Sequence, residues 1–192
     1  DSTSALIAAL ALFAAGFAFR PLGALIFGAM GDRVGRKATF MTTIILMGGA
    51  TFAIGLLPTY ATAGIVAPIL LVLMRIIQGT ALGGEYGGAA IYVAEHAAPD
   101  RRGGATGWIQ SSAAFGLIAA LGVTFATRTL LGEDAFAAWG WRIPFLASAI
   151  LLGISVWMRS KLAESPTFAK LKEDGELSKA PLREAFADRK NL

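Results

Sequence analysis

The sequence predicts an all-α, polytopic transmembrane helix bundle, and three observations predict it. Of its 192 residues, 55% are apolar and 16% charged, where a water-soluble chain carries about a quarter charged; mean hydropathy is +0.61. Five stretches are each apolar over the roughly 20 residues that a helix needs to cross a bilayer. None alternates apolar and polar residues with the period of two of a barrel strand. Helices are then the remaining way for a chain in lipid to satisfy its own backbone. The composition sets aside disordered chains, disulfide scaffolds and soluble enzymes.

The spans are expected at 6–30, 38–57, 64–94, 104–131 and 139–158. The first lacks a basic leader and is too long for a signal peptide. It should kink at Arg20-Pro21, because proline removes a backbone donor. The turn that follows holds Gly31, Asp32 and Gly35; the glycines permit unusual backbone angles and Asp32 is placed to cap a helix start. The third span, at about 31 residues, would be about 46 Å long and should tilt or protrude. Its Gly79, Gly83 and Gly87 form a small-residue row suited to close helix approach. Trp139, Trp141 and Trp157 stand near span ends as interfacial anchors. The stretch 159–192 is charged and broken by Pro and Gly, and reads as a linker with a short amphipathic helix around Pro181 to Arg189.

Charge gives the orientation. Lys and Arg fill 31–37, 95–103 and the tail from Arg159, whereas the loops 58–63 and 132–138 hold none. By the positive-inside rule the basic loops and 159–192 are cytoplasmic and Asp1 is external. An external start with five spans implies one preceding helix, so the chain is expected to be part of a longer protein. The net charge of +4 thus belongs to a lipid bilayer face and not to nucleic acid. There is no cysteine and one histidine, His96, at a span end beside Glu95. With no phosphate-binding, dinucleotide or HExxH motif, no cofactor and no metal are expected.

Charges at membrane depth are costly and usually functional. Three stand out: Arg20, Arg75 and Glu85. At 100° per residue Arg75, Gln78, Leu82 and Glu85 fall within an arc of about 80°, so one stripe should face the bundle interior or a water-filled cavity. Arg75 and Glu85 are about 15 Å apart in rise, too far to pair, and each needs another partner. A cavity-facing Arg20 would suit a substrate carboxylate; pairing or snorkelling is its plainer role. Gln110, Ser111 and Ser112 make a polar patch early in the fourth span, bonding across helices or touching substrate.

The run Gly28-Ala-Met-Gly31-Asp32-Arg33-Val34-Gly35-Arg36-Lys37 resembles the loop 2–3 signature of the major facilitator superfamily. Leu71-x-x-x-Arg75-x-x-Gln78-Gly79 resembles its fourth-helix motif, and Glu164-Ser165-Pro166 the acidic-Pro signature after helix six. Arg20-Pro21-Leu22-Gly23, Gly83-Gly84-Glu85-Tyr86, the 94–99 segment and Trp139 to Phe145 resemble the metabolite:proton symporter family. That family includes importers of 2-oxoglutarate, citrate, shikimate, and proline or betaine. The resemblance implies helices two to six of a twelve-helix fold, with helix one and the C-terminal six helices as partners elsewhere in the same protein. It also implies a bacterial inner membrane.

The implied function is proton-coupled symport of a small organic acid or zwitterion by alternating access, without enzymatic activity. Arg20, Arg75, Gln78, Glu85, Tyr86 and Gln110 are the substrate or proton-coupling candidates. Gly28, Asp32, Arg33, Gly35, Arg36, Lys37, Glu95, Arg102 and Glu164 would form a conformational latch. The alternatives are a facilitator or drug exporter of the same superfamily, or an intramembrane protease of rhomboid type, which needs a Ser–His pair at depth.

Overall fold

The computed structural model describes residues 2–175, and among them the regular structure is helical. The bundle is built from α1 (Ser2–Ala18), α2 (Arg20–Val34), α3 (Arg36–Leu56), α4 (Tyr60–Ala63), α5 (Val66–His96), α6 (Arg102–Leu131), α7 (Glu133–Ala135), α8 (Arg142–Ser160) and α9 (Pro166–Glu173). A π-helical stretch, Phe136–Gly140, leads into α8. Five stretches are long and apolar enough to cross a membrane: Leu6–Val34, Arg36–Leu56, Val66–His96, Arg102–Leu131 and Arg142–Ser160. The first therefore runs beyond residue 30, through Gly31 and Asp32 to Val34. The helix expected around Pro181 to Arg189 lies outside the described residues.

The first span is broken at Phe19, between α1 and α2, with Pro21 in the first turn of α2. Pro21 has no N–H to return to the preceding turn, so the helix restarts there. α2 packs along α5, while α3 packs along both α8 and α5. Small residues set these contacts. A Cβ on Gly79 would run into the Gly16 carbonyl, one on Gly83 into the Arg20 carbonyl, and one on Gly23 into the Thr80 carbonyl. Backbones this close give dispersion contacts that large side chains would forbid in lipid. On the other side, Gly48 and Gly55 of α3 admit Leu152 and Leu146 of α8.

α6 is the outlier. Of its 30 residues Thr127 alone is buried, and Trp108, Phe115, Leu117, Ile118, Leu121 and Phe125 are all well exposed. In water such a helix would be a liability; a bilayer solvates it.

Candidate functional site

The first cluster forms where the α1–α2 break meets α5. Arg20 opens α2, and its guanidinium carbon lies 3.5 Å from the centre of the Phe17 ring. Its Nε is buried with no hydrogen-bond partner among the described residues. Arg75 Nη1 donates to Gln78 Oε1 at 3.1 Å, one turn along α5. Gln78 Nε2 in turn donates to Thr51 Oγ1 at 2.7 Å on α3. The amide thus ties Arg75 to the neighbouring helix. Arg20, Arg75 and Gln78 line one cavity of about 200 Å³, walled by Phe13, Phe17, Met47 and Leu82.

The second cluster lies further along the same stripe of α5. Glu85 pairs with Arg159 Nη2 from the last turn of α8, at 2.5 Å. Both side chains are mostly buried, 19% and 24% exposed. Arg159 also donates to the Phe40 carbonyl at 3.3 Å and lies over the Phe40 ring. This pair borders an open cleft of about 730 Å³ between α3, α5, α6 and α8, lined also by Thr51, Tyr86, Ser112, Ser148 and Ser155. Leu82 and Met47 border both this cleft and the Arg20–Arg75 cavity. Gln110 does not line either; it is exposed, because its neighbours Ile109, Ser112 and Ala113 occupy the cleft-facing side of α6.

The third cluster gathers at the basic end of the bundle. Gly35 takes φ +111° between α2 and α3, a backbone that favours glycine. A Cβ there would also strike the Glu164 carboxylate. No side chain at the Gly35 N-cap satisfies the first N–H groups of α3. Glu164 does so from across the fold: its Oε1 accepts from Arg36 N at 2.8 Å and Lys37 N at 3.2 Å. A carboxylate is favoured at this site by the open donors and by the helix dipole.

Asp32 is not a helix cap. It sits in the last turn of α2 and pairs with Arg36 at 2.8 Å, since an i, i+4 spacing persists across the Gly35 turn. Gly31 is helical and contributes its smallness instead, leaving room for the Arg36 guanidinium. Lys37 Nζ reaches the Ser160 carbonyl at 2.9 Å at the end of α8. Glu95 accepts from Ser165 Oγ, and that hydroxyl accepts from Phe168 N at 3.2 Å to cap α9. Gly28 opens onto the groove between α2 and α5, and Arg33 is exposed beside the turn. Arg102 stands apart: it begins α6 and is exposed, away from the Glu164 and Glu95 contacts.

His96 Nδ1 donates a hydrogen bond to the Tyr92 carbonyl at 2.8 Å, and its ring stacks on the Tyr92 ring. No serine hydroxyl bonds to it among the described residues. Arg159 is the site residue that sequence reasoning passed over, as one more basic residue of the tail. Its signal is the 4-3-4 spacing of Ser148, Leu152, Ser155 and Arg159, which puts three polar groups on one face of α8.

Comparison with known proteins fits this arrangement. A family model described as "Sugar (and other) transporter" matches residues 2–191. The inner membrane metabolite transport protein YhjE of Escherichia coli K12 is 46% identical over 182 residues, covering 95% of this chain and 41% of that protein. The proline/betaine transporter of Salmonella typhimurium is 46% identical over 169 residues, covering 88% of this chain and 34% of that protein. The chain therefore spans about two fifths or less of the length of these relatives. The xylose transporter XylE of E. coli, in a partially occluded inward-open conformation, superposes with a TM-score of 0.72 at 22% identity, over 90% of this chain and 43% of that one; this likeness concerns the fold. With the family model matched almost end to end and the fold in agreement, the chain belongs to the sugar (and other) transporter family of the major facilitator superfamily.

Proposed function

We propose that the transporter to which this chain contributes is a proton-coupled symporter of a small organic acid or zwitterion, working by alternating access in a bacterial inner membrane. The Glu85–Arg159 pair carries the reading. It joins α5 to α8 at the edge of the large cleft, mostly out of water. Moving the two helices apart would leave a carboxylate uncompensated in a low dielectric, which costs several kcal/mol. Protonation removes that cost. Alternation between a paired, charged state and a separated, protonated state is how a carboxylate links helix motion to proton movement.

The relatives named as proline/betaine transporters support the substrate class, and that named as an inner membrane protein supports the location. In this reading the basic loops and residues 159–192 face the cytoplasm. The contacts around Glu164, Asp32 and Glu95 are a latch that holds one conformation. A facilitator without proton coupling is the competing function.

Glu85→Gln in the full-length transporter, reconstituted in liposomes, tests the coupling. The amide mimics the protonated acid, so proton-driven accumulation is expected to be lost while substrate exchange across the bilayer persists. Accumulation against a gradient at the wild-type rate would remove Glu85 from the coupling role. Loss of both activities together with poor protein yield would make the pair structural.

A further inference from the structure

We propose that Thr51 is the positioning residue of Arg75: acting through the Gln78 amide, its hydroxyl fixes where the guanidinium sits during transport. Thr51 Oγ1 donates to the Met47 carbonyl at 2.8 Å, one turn back along α3. A hydroxyl has one proton to give and lone pairs with which to accept. With that proton given to Met47, Thr51 meets Gln78 as an acceptor, and Gln78 Nε2 lies 2.7 Å from its Oγ1. The amide must therefore turn its NH2 group to α3. That leaves Oε1 facing along α5, where it accepts from Arg75 Nη1 at 3.1 Å. A flipped amide would set oxygen against oxygen at one end and NH2 against a guanidinium at the other. Both contacts would be lost at once, so the polarity of the series Arg75, Gln78, Thr51, Met47 is fixed at both ends.

Arg75 has little else to hold it. Among the described residues no carboxylate forms an ion pair with it, and Gln78 is the side chain that accepts from it. A long side chain gives up much rotamer freedom when held in one pose, so a single well-oriented acceptor decides how often that pose is kept. Location adds to this. Arg75 and Gln78 line the cavity of about 200 Å³, whereas Thr51 lines the cleft of about 730 Å³ beside Glu85 and Tyr86. Met47 and Leu82 border both. The Thr51–Gln78 hydrogen bond thus crosses the wall between the two spaces and ties α5 to α3. Sliding of α3 along α5 breaks it, and Arg75 is then released with no contact made to the guanidinium itself. Arg75 is held in place while the two helices keep this register; the consequence for transport rests on the transport reading above.

Thr51→Val keeps the shape and deletes the acceptor, while Thr51→Ser keeps the hydroxyl. Modification of the purified full-length transporter by 2,3-butanedione, a small arginine reagent, reads the pose without any substrate. Peptide mass spectrometry gives the rate at Arg75 and, as an internal reference in the same cavity, at Arg20. Thr51→Val is expected to speed modification of Arg75 about tenfold with Arg20 unchanged, and Thr51→Ser to restore the slow rate. In a Gln78→Leu background Arg75 is already released, so Thr51→Val should add nothing, as befits residues acting in series. Exchange of L-proline in liposomes, with no proton gradient, should follow the same pattern. It should fall about tenfold in Thr51→Val and recover in Thr51→Ser.

Equal acceleration at Arg20 and Arg75 overturns the assignment, since it signals loosened helix packing. So does an unchanged rate at Arg75 in Thr51→Val, or an additive effect in the Gln78→Leu background. Selective release of Arg75 with L-proline exchange at the wild-type rate overturns it too, because the pose would not then serve transport. Exchange needs no proton coupling, so absence of proton-driven accumulation in the wild type sinks the symport reading and leaves Thr51 assigned. A wild-type transporter inert to L-proline removes that solute from the substrate class above, and the modification rates then decide Thr51 by themselves.

Discussion

At the scale of single residues, the α2–α5 contact depends on atoms that are absent. Gly83 and Gly87 occupy the same row of α5, yet a Cβ at Gly83 would enter the Arg20 carbonyl while one at Gly87 meets nothing within 4 Å. Gly83→Ala is therefore expected to lower the melting temperature of the full-length transporter by several degrees, since overpacking against backbone costs about 1–3 kcal/mol or more. Gly87→Ala should leave it unchanged or raise it, because alanine is the better helix former. Equal effects of the two would mean that the row is not a packing seam. Residues of this kind were legible in the sequence, as were Arg20, Arg75 and Glu85, because a charge or a glycine row stands out in an apolar span. Arg159 was not. It lies where basic residues crowd for reasons of topology, and its selection from among them needs the register of α8 against α5, which is a tertiary fact.

At the scale of elements, helix ends explain more than helix interiors. The spans follow from apolar length, and the break at Phe19 follows from Pro21. The caps do not follow from local sequence. α3 begins at a glycine that offers no side-chain acceptor, and its first donors are met by Glu164, 128 residues away. A local reading assigned that capping role to Asp32, the nearest acid, and a long-range contact took it instead. Glu164→Gln removes the charge and keeps one acceptor oxygen. Amide exchange at Arg36 to Thr39 should then quicken, with the far end of α3 near Leu56 unaffected, and transport should fall about tenfold or more. Arg102→Gln, remote from these contacts, should leave both measurements unchanged. A loss of protection spread evenly along α3 would point to general unfolding and not to a lost cap.

At the scale of the whole molecule, the two ends of the bundle differ in charge more sharply in space than along the sequence. One end gathers Arg33, Arg36, Lys37, Arg101, Arg102, Lys161, Lys170 and Lys172. At the other end the two arginines are restrained. Arg128 is gripped by both oxygens of Glu133 at 2.7 Å, and Arg142 donates to the Leu57 carbonyl at 3.0 Å while stacking on Trp141. With Glu133 and Asp134 beside them, these arginines leave that end close to neutral, so the asymmetry that sets insertion is nearly complete. The chain contains no cysteine, which makes the orientation directly measurable once any others in the full-length transporter are replaced. Thr62 lies exposed at the neutral end, and Lys161 is exposed just after α8 at the basic end. In intact cells Thr62→Cys should react with a membrane-impermeant maleimide, and Lys161→Cys should react only after the membrane is permeabilised. Labelling of Lys161→Cys from outside would invert the bundle, placing the Glu164 contacts on the external face and the Glu85–Arg159 pair at the external edge of the cleft. Under the proposed coupling, the direction of proton loading at Glu85 would then be reversed as well, so this experiment fixes the sign of that proposal along with the topology.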